Sequence, residues 1–390
     1  MNIVLFDDVA RESLLPLTFT RPVASLRVGI LTIAEKWEKH LKAEASFVTA
    51  EYLSARFAYT QSDDSIFING SVCPNSGLLE AINSLAKGQA LVQNDVLIAA
   101  KGIGAESLAN RTHVEEIPYT SDFTRIVYPE NIFSFNGAEI QNDYELLTKG
   151  RTSATLSSTN TILGDNIFVE EGVNAECAIL NATTGPIYLG KNSTILEGAV
   201  IRGPFALCEH GLVKISAKIY GNTTIGPHSK VGGEVNNAVL YANSNKGHDG
   251  FLGNSVLGEW CNLGADTNNS NLKNNYAEVK LWDYNRGRFR KTGLQFCGLI
   301  MGDHSKCGIN TMFNTGTVVG VSANIFGAGF PRNFVPDFSW GGAQGYEVYA
   351  LNKVFETAEK VYERRNSTFD DTDKSILENV FELTKQHRNF

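Results

Sequence analysis

The chain has 390 residues, of which 43% are hydrophobic and 19% charged, a composition typical of a globular protein. A formal net charge of -8 argues against a nucleic-acid partner, and the longest apolar runs are too short to span a bilayer, so we expect no membrane partner either. No signal-peptide pattern precedes the apolar run 3–6, which predicts a cytoplasmic protein with reduced cysteines.

Six cysteines are scattered along the chain, and no two of them form a C-x-x-C pair. A zinc site or a disulfide framework is usually announced by closer spacing, so we interpret these cysteines as small buried residues. They are Cys73, Cys177, Cys208, Cys261, Cys297 and Cys307.

From residue 1 to about 150, short apolar segments alternate with a helical pattern. Residues 2–6, 65–68 and 96–100 are predicted strands, and the apolar spacing of residues 30–41 predicts a helix. This alternation indicates an α/β, Rossmann-like domain, in which ligands bind beyond the carboxyl ends of the strands. The loop 7–22 follows the first strand and is therefore a candidate nucleotide loop.

An aliphatic residue recurs at every sixth position in the second half of the chain. An α-helix has no such period, whereas a left-handed parallel β-helix does, because each triangular coil uses three short strands with one side chain pointing inward. Glycine often follows the aliphatic residue, as tight corners require. We therefore predict a hexapeptide-repeat β-helix over residues 151–330. The predicted inward residues are Leu189, Ile195, Ile201, Leu207, Val213, Ile219, Ile225, Val231, Phe251, Leu257, Leu263, Met301, Cys307, Phe313, Val319 and Ile325.

Two breaks in the repeat, at residues 232–250 and 266–297, mark segments that leave the prism. The second is rich in aromatic and basic residues, and two interpretations stay open: it covers a phosphate or a pantetheine arm, or it packs against a neighbouring subunit. Residues 331–345 predict an irregular exit from the prism. Apolar stripes along 348–362 and 376–381 then predict two helices within residues 331–390.

Two regions contain short sequence motifs that neither the six-residue repeat nor the strand pattern explains. Residues 248–254 read H-D-G-F-L-G-N, residues 264–267 read G-A-D-T, and Asn271 follows. In the N-terminal domain, residues 16–22 read P-L-T-F-T-R-P and a Val-Gly pair stands at 28–29. Together with the order of the domains, these segments are specific enough to compare with a known family.

The chain resembles the bifunctional GlmU family over nearly its whole length. Members acetylate glucosamine 1-phosphate and then uridylylate the product to UDP-N-acetylglucosamine. The resemblance implies acetyl-CoA as cosubstrate, Mg²⁺ for the nucleotidyl transfer, and an amino-sugar 1-phosphate with UTP or another NTP as substrates. It also implies a homotrimer whose active sites lie between neighbouring prisms, and we expect the C-terminal helices to pack against that trimer.

The resemblance assigns roles within the β-helix. His248 matches a general base that takes a proton from the attacking sugar amine, a task for which an imidazole is suited. Asn236 stands where the family has a phosphate-contacting lysine, which bears on the identity of the amino sugar. The implied substrate-binding residues are Arg202, Glu234, Asn236, Phe251 and Asn271, and the implied cofactor-binding residues are Gly264, Ala265 and Thr267.

The N-terminal domain departs from the family pattern. Residues 7–11 replace the phosphate-cradling glycine-rich loop, Val23 stands in place of a catalytic lysine, and Asn69 replaces the Mg²⁺-binding aspartate, for which an amide is a weaker ligand. We interpret the domain as a divergent branch with either rearranged catalytic residues or a lost activity. The predicted nucleotide-binding residues are Arg11, Thr18, Thr20, Arg21, Arg27 and Lys36.

Three functions stay open from the sequence. The first is a bifunctional acetyltransferase and nucleotidyltransferase, the second an acyltransferase with a non-catalytic nucleotide-sensing or sugar-nucleotide-sensing N-terminal domain, and the third a non-catalytic trimeric scaffold. A zinc-dependent carbonic anhydrase built on a β-helix would use closely paired histidines, but no two histidines here are five residues apart. The candidates for such a site, His210, His228 and His304, are therefore not favoured.

Overall fold

The computed structural model describes residues 2–60, 62, 64–111 and 113–390, which form two compact units. The first unit runs to residue 14 and continues through residues 18–26 and 31–128. The second unit takes residues 15–17, 27–30 and 129–390. Two short segments of the predicted nucleotide loop and its continuation thus group with the second unit.

The first unit is built on a six-stranded mixed sheet in the order β2-β1-β3-β5-β4-β6. β1 pairs in parallel with β2 and β3, so the carboxyl ends of these three strands meet at one edge. The predicted strands and the predicted helix are all present. The strands are β1 (Asn2–Phe6), β2 (Ala45–Val48), β3 (Ser65–Asn69), β4 (Gln89–Gln93), β5 (Val96–Lys101) and β6 (Glu115–Pro118), and the α-helices are α1 (Ala10–Ser13), α2 (Ile33–Leu41), α3 (Ser76–Asn83) and α4 (Ser107–Asn110).

The second unit opens with helix α5 (Pro129–Thr148) and continues as a left-handed parallel β-helix of about ten coils. Its strands stack coil on coil in parallel register, and only two short hairpins, β24–β25 and β32–β33, are antiparallel. In chain order the strands are β7 (Thr161–Leu163), β8 (Ile167–Val169), β9 (Asn174–Ala175), β10 (Ile179–Asn181), β11 (Ile187–Leu189), β12 (Thr194–Ile195), β13 (Val200–Arg202), β14 (Phe205–Leu207), β15 (Leu212–Val213), β16 (Lys218–Ile219), β17 (Thr223–Ile225), β18 (Lys230–Val231), β19 (Glu234–Leu240), β20 (Asn245–Lys246), β21 (Phe251–Leu257), β22 (Asn262–Leu263), β23 (Asn268–Asn269), β24 (Lys280–Asp283), β25 (Arg288–Lys291), β26 (Leu299–Met301), β27 (Lys306–Cys307), β28 (Met312–Phe313), β29 (Thr317–Val319), β30 (Asn324–Ile325), β31 (Phe334–Val335), β32 (Ser339–Gly342) and β33 (Gly345–Val348).

The six-residue period is confirmed by the packing inside the prism. All the predicted inward residues except Phe251 belong to one hydrophobic core. The prediction for Phe251 is wrong, because the register of β19 with β21 places Val235 opposite Leu252 in the core and Glu234 opposite Phe251 on the outside. Only five residues separate the inward Leu252 from the inward Leu257, and the phenyl ring of Phe251 is left half-buried on the outer face.

The second break in the repeat forms the antiparallel hairpin β24–β25. The irregular exit predicted over residues 331–345 is only partly correct, because β31 pairs in parallel with β29 and β32 with β30, which adds one more coil. The two predicted helices are present as α6 (Leu351–Glu363) and α7 (Asp371–Leu383). Tyr362 of α6 stacks on Trp260 of the prism with ring centroids 3.9 Å apart.

None of the six cysteines forms a disulfide, and all of them except Cys177 are buried. Searching the described part of the chain finds no helix with the length and apolarity needed to cross a membrane.

Candidate active site

His248 lies in the turn between β20 and β21, with its side chain exposed. The next coil lies directly against this turn, since the N–H of Asp266 donates to the carbonyl of Asp249 at 3.0 Å. Gly250 makes the close approach possible: its φ is +116°, and a Cβ there would lie 2.1 Å from the carbonyl oxygen of Thr267. The structure thus brings the predicted base next to the predicted cofactor turn 264–267.

A buried lysine supports the histidine turn from inside the prism. Lys246 is 1% exposed and takes an inward position opposite Val231 of the preceding coil. Its Nζ donates to the carbonyl of Gly232 at 3.2 Å and to the carbonyl of His248. Burial lowers the pKa of Lys246 to about 8, because the ammonium is withdrawn from water.

Sequence reasoning missed Lys246, although a signal was present. Counting six residues back from the inward Leu252 reaches Lys246, a charged residue at a position reserved for aliphatic side chains. A buried charge at a repeat position requires polar partners, and here two backbone carbonyls provide them.

The predicted substrate-binding residues line one outer face of the prism. Glu234 lies opposite Phe251 in the next coil, and Asn236 lies opposite Gly253. Arg202 is exposed at the end of β13, two strands away from β19 on the same face. These side chains follow adjacent coils, which are spaced about 4.8 Å apart in parallel sheets.

The strand between Arg202 and Glu234 supplies a cation that the sequence did not single out. Lys218 of β16 pairs in register with Glu234, and its exposed Nζ lies 3.8 Å from the Glu234 carboxylate. The lysine that the resemblance misses at Asn236 therefore has a counterpart one coil earlier. Only the folded register reveals it, since sixteen residues separate Lys218 from Glu234.

Asn271 and Phe251 meet over Gly253. The amide nitrogen of Asn271 donates to Oδ1 of Asn254 at 2.8 Å. A Cβ at Gly253 would lie 2.5 Å from the Phe251 ring and 2.7 Å from the Asn271 amide nitrogen. The missing side chain is therefore what lets the ring and the amide converge beside the histidine turn.

In the first unit, the loop after β1 forms an ion-pair network instead of a glycine-rich cradle. Arg11 contacts Asp7 at 3.0 Å and donates to the carbonyl of Arg21 and to the hydroxyl of Tyr52, both at 3.0 Å. Burial raises the pKa of Asp7, against the opposing effect of the Arg11 guanidinium. Arg11 and Arg21 therefore lie next to each other, and both side chains are largely buried.

The other predicted nucleotide-binding residues are placed differently. Thr18 is buried, and its hydroxyl donates to the carbonyl of Arg11 at 2.7 Å, whereas Thr20 is half-buried. Lys36 is 1% exposed within α2. Arg27 belongs to the second unit, where it is buried and donates to the carbonyl of Ile30. A nucleotide-binding role for these residues stays a prediction.

The residues at the predicted metal position do not fit a Mg²⁺ site. Oδ1 of the buried Asn69 accepts hydrogen bonds from the N–H and the hydroxyl of Ser71, at 2.9 and 2.7 Å. The Asn69 amide nitrogen donates to Asp8 at 2.8 Å, and the same carboxylate oxygen pairs with the guanidinium of Arg125. Both oxygen ligands that a hard cation would need are therefore engaged by protein donors.

The histidines considered for zinc do not assemble a metal site. The rings of His210 and His228 stack with centroids 4.8 Å apart on adjacent coils, while His304 stacks near Trp260 and Tyr362. Within the described residues, no group of three or more His, Cys, Asp or Glu side chains is arranged to hold a metal ion.

Comparison with known proteins finds one family model and several sequence relatives. Residues 3–152 match the family model for sugar nucleotidyl transferases. The bifunctional protein GlmU of Methanocaldococcus jannaschii is 34% identical over 99 residues, which is 25% of this chain and 22% of that protein. The uncharacterized acetyltransferase YaiX of Escherichia coli K12 is 28% identical over 153 residues, which is 39% of this chain and 66% of the relative.

Among solved structures, the UDP-N-acetylglucosamine acyltransferase from Campylobacter jejuni matches over 60% of this chain and 83% of that chain, with 15% identity and a TM-score of 0.25. The matched stretches span about a fifth of the archaeal GlmU and just under two thirds of YaiX. The resemblance to the GlmU family predicted from the motifs is nevertheless confirmed by the family model and the sequence relatives, each of which matches a part of the chain.

Proposed function

We propose that the β-helix transfers an acetyl group from acetyl-CoA to the amine of an amino-sugar phosphate. The observation that carries the proposal is the stacking of the exposed His248 turn against the turn 264–267, with Phe251 and Asn271 converging beside them. The matches to an acetyltransferase and to a GlmU protein support it.

In the proposed reaction, His248 acts as general base. Its imidazole takes a proton from the sugar amine as the nitrogen attacks the thioester carbonyl, so that a C–N bond forms and the C–S bond breaks. The proton then passes to the departing CoA thiolate. Backbone N–H groups of the adjoining turns are suited to stabilise the negative oxygen of the tetrahedral intermediate.

The sugar phosphate is proposed to bind along the outer face of β13, β16 and β19. Arg202 and Lys218 both project from this face and supply two positive charges for a phosphate. Glu234 lies opposite Phe251, close enough along the ladder to accept hydrogen bonds from sugar hydroxyls while the ring covers the sugar. Which amino sugar fits is decided by these side chains.

A homotrimer is part of the proposal. Ile179 and Val200 lie opposite each other on adjacent strands of an outer face, and each is 39% exposed. Aliphatic side chains aligned on a flat face favour packing against a second prism. Such packing would form a cleft beside His248, whose side chain is exposed in the single chain.

For the first unit, we favour nucleotide or sugar-nucleotide binding over Mg²⁺-dependent nucleotidyl transfer. The observation behind this choice is that Arg125 and the Asn69 amide already donate to Asp8, and that Oδ1 of Asn69 already accepts hydrogen bonds from Ser71. The bifunctional alternative is tested by pyrophosphate release from UTP. Sustained release of pyrophosphate would support the bifunctional alternative.

The decisive experiment measures free CoA released from acetyl-CoA with glucosamine 1-phosphate. Wild type is compared with His248→Ala and with His210→Ala, which removes another exposed histidine from a different coil. We expect turnover to fall by about a hundredfold or more in His248→Ala, the size of a lost general base, and to persist in His210→Ala. Equal turnover in both variants would rule out the assigned base, and no turnover with any amino-sugar phosphate would favour the scaffold.

A further inference from the structure

A cavity of the second unit lies beyond the histidine turn, at the later coils. It has a volume of about 810 Å³, within the range of small-molecule sites. The hairpin β24–β25, the segment around β31 and the last residues of the chain enclose it. Its lining residues are Lys273, Lys280, Trp282, Gly287, Phe289, Thr315, Arg332, Asn333, Phe334, Pro336, Tyr346, Gln386, His387, Asn389 and Phe390.

The charged side chains among the described lining residues are positive. Lys273, Lys280 and Arg332 contribute three cations, and none of the described residues that line the cavity is an aspartate or a glutamate. Lys280 and Arg332 are exposed, so their charged groups are free to turn towards a ligand. A concave surface with cations and without carboxylates concentrates anions, and phosphate is the anion that guanidinium and ammonium groups bind most strongly.

The cavity also presents aromatic rings. Trp282 stacks on Phe334 with ring centroids 4.2 Å apart, and Phe289 meets Trp282 edge-on at 5.3 Å. Phe289 remains 42% exposed, although it belongs to a hairpin whose inner face is packed. An exposed phenyl ring beside an indole offers a planar ligand a surface on which to stack.

One polar atom among these aromatic side chains indicates that the ligand carries a hydrogen-bond acceptor. The indole Nε1 of Trp282 is buried and has no hydrogen-bond acceptor among the described residues. An indole N–H can only donate, and buried donors are nearly always paired in folded proteins. A ligand that brings an acceptor into the cavity would satisfy it.

We propose that this cavity binds a nucleoside phosphate. The phosphates contact Arg332, Lys280 and Lys273, and the base lies against Phe289, with an acceptor towards Trp282. A simple sugar phosphate leaves the aromatic wall unused, and an uncharged aromatic compound leaves three cations unused, whereas a nucleotide uses both. The proposal stands without the acetyl transfer proposed above, because it depends on the lining of this cavity alone.

Two sources of nucleoside phosphate are compatible with the position of the cavity. Lys273 follows Asn271 by two residues, so the cavity begins where the proposed acetyl site ends, as the adenosine end of CoA would require. A free nucleoside triphosphate has the same chemistry. The two sources are separated by their probes, adenosine 3′,5′-bisphosphate for the first and UTP for the second.

Isothermal titration of the full-length chain with each probe tests the proposal. The test variant is Lys280→Gln/Arg332→Gln, and the matched control is Arg288→Gln, which removes an exposed cation of the same hairpin that does not line the cavity. We expect at least one probe to bind wild type and Arg288→Gln equally, and the double variant about tenfold or more weakly. Stronger loss for the bisphosphate identifies the CoA source, and stronger loss for UTP the triphosphate source.

A second variant tests stacking. Phe289→Leu keeps an apolar side chain but removes the exposed ring, and we expect it to weaken the same probe by severalfold. The proposal is overturned if neither probe binds, or if both bind the double variant as well as wild type. Titration of His248→Ala separates the two proposals, since the cavity should bind its probe unchanged there even if acetyl transfer fails.

Discussion

The buried ammonium of Lys246 donates a hydrogen bond to the backbone carbonyl of His248, and so fixes the turn that carries the exposed imidazole. The same side chain also holds the carbonyl of Gly232, on the opposite side of the break in the repeat. Lys246 thus occupies an inward position where other coils have an aliphatic side chain, and its ammonium stabilises the turn that carries His248. A second lysine, the half-buried Lys306, donates to the carbonyl of His304 at 2.8 Å in another turn and serves as a comparison.

Replacing Lys246 by methionine should lower acetyl transfer without unfolding the chain. Methionine fills the inward position, so the core stays packed, but the carbonyls of Gly232 and His248 lose their donor. We expect kcat for CoA release to fall by about tenfold, with the KM for acetyl-CoA changing less. Steady-state kinetics measures both constants.

The control for this prediction is Lys306→Met, which removes the half-buried lysine that donates to the carbonyl of His304. It should leave kcat near wild type, because that turn carries no proposed catalytic group. An equal fall of kcat in Lys246→Met and Lys306→Met would show that the loss of either lysine lowers kcat by destabilising the prism as a whole.

The lowered pKa of Lys246 makes a prediction about stability and pH. Its folded pKa is about 8, and the ordinary value is 10.5, so between these pH values the unfolded chain binds a proton that the folded chain has released. The free energy of unfolding of wild type should therefore rise relative to Lys246→Met as pH increases from about 8 to 10.5, and the difference should be flat below 8. Urea unfolding of both proteins across this range measures it, and a difference that shrinks with rising pH would contradict the assignment.

Gly250 should be far less replaceable than its neighbour Gly247. Gly250 has a φ of +116°, and a Cβ would lie 2.1 Å from the Thr267 carbonyl, whereas the nearest atom to a Cβ at Gly247 is 4.0 Å away. We expect Gly250→Ala to lower the free energy of unfolding by roughly 2–4 kcal/mol and to reduce turnover, while Gly247→Ala changes little. Thermal unfolding of the two variants provides the comparison, and equal melting temperatures would show that the two turns are not held together as described.

How far the sequence carries the fold can be seen around this turn. The six-residue period placed almost every inward residue correctly, because the period of a β-helix is a local property of each coil. It failed at Phe251, because only five residues separate the inward Leu252 from Leu257, matching the five residues from Val235 to Leu240 on the neighbouring strand. The extra coil through β31 and β32 was missed because the segment is rich in glycine, proline and aromatic residues, although its backbone pairs with β29 and β30.

The candidate site was predictable only in part. His248 and Asn271 were found because they stand in a short motif, but Lys218 pairs with Glu234 only through the register of the coils. In the first unit, Asp8 meets Arg125, which lies 117 residues further along the chain. No local pattern announces such a partner, because the contact is made by the tertiary fold alone.

Lys218 should contribute to binding of the sugar phosphate and not to the chemical step. Its Nζ lies 3.8 Å from the carboxylate of Glu234 on the face proposed for the phosphate. We expect Lys218→Gln to raise the KM for glucosamine 1-phosphate by about five- to tenfold with kcat nearly unchanged, as loss of one charge-assisted contact implies. Lys191→Gln, which alters an exposed lysine after β11, is the control and should leave both constants unchanged. A fall in kcat alone would instead place Lys218 in the chemical step.

Nucleotide binding by the first unit should not depend on Mg²⁺. The guanidinium of Arg125 already neutralises Asp8, and Oδ1 of Asn69 accepts two hydrogen bonds from Ser71, so a divalent cation would have to displace protein donors to gain its ligands. We expect UTP to bind with the same affinity in EDTA and in Mg²⁺, and Arg125→Gln to weaken that binding because the positive charge at the carboxyl end of β1 is lost. Titration in the Lys280→Gln/Arg332→Gln background removes the contribution of the cavity in the second unit. An affinity for UTP that increases about tenfold or more with Mg²⁺ would show that the Arg125–Asp8 ion pair opens to admit the cation. That result would support the bifunctional enzyme.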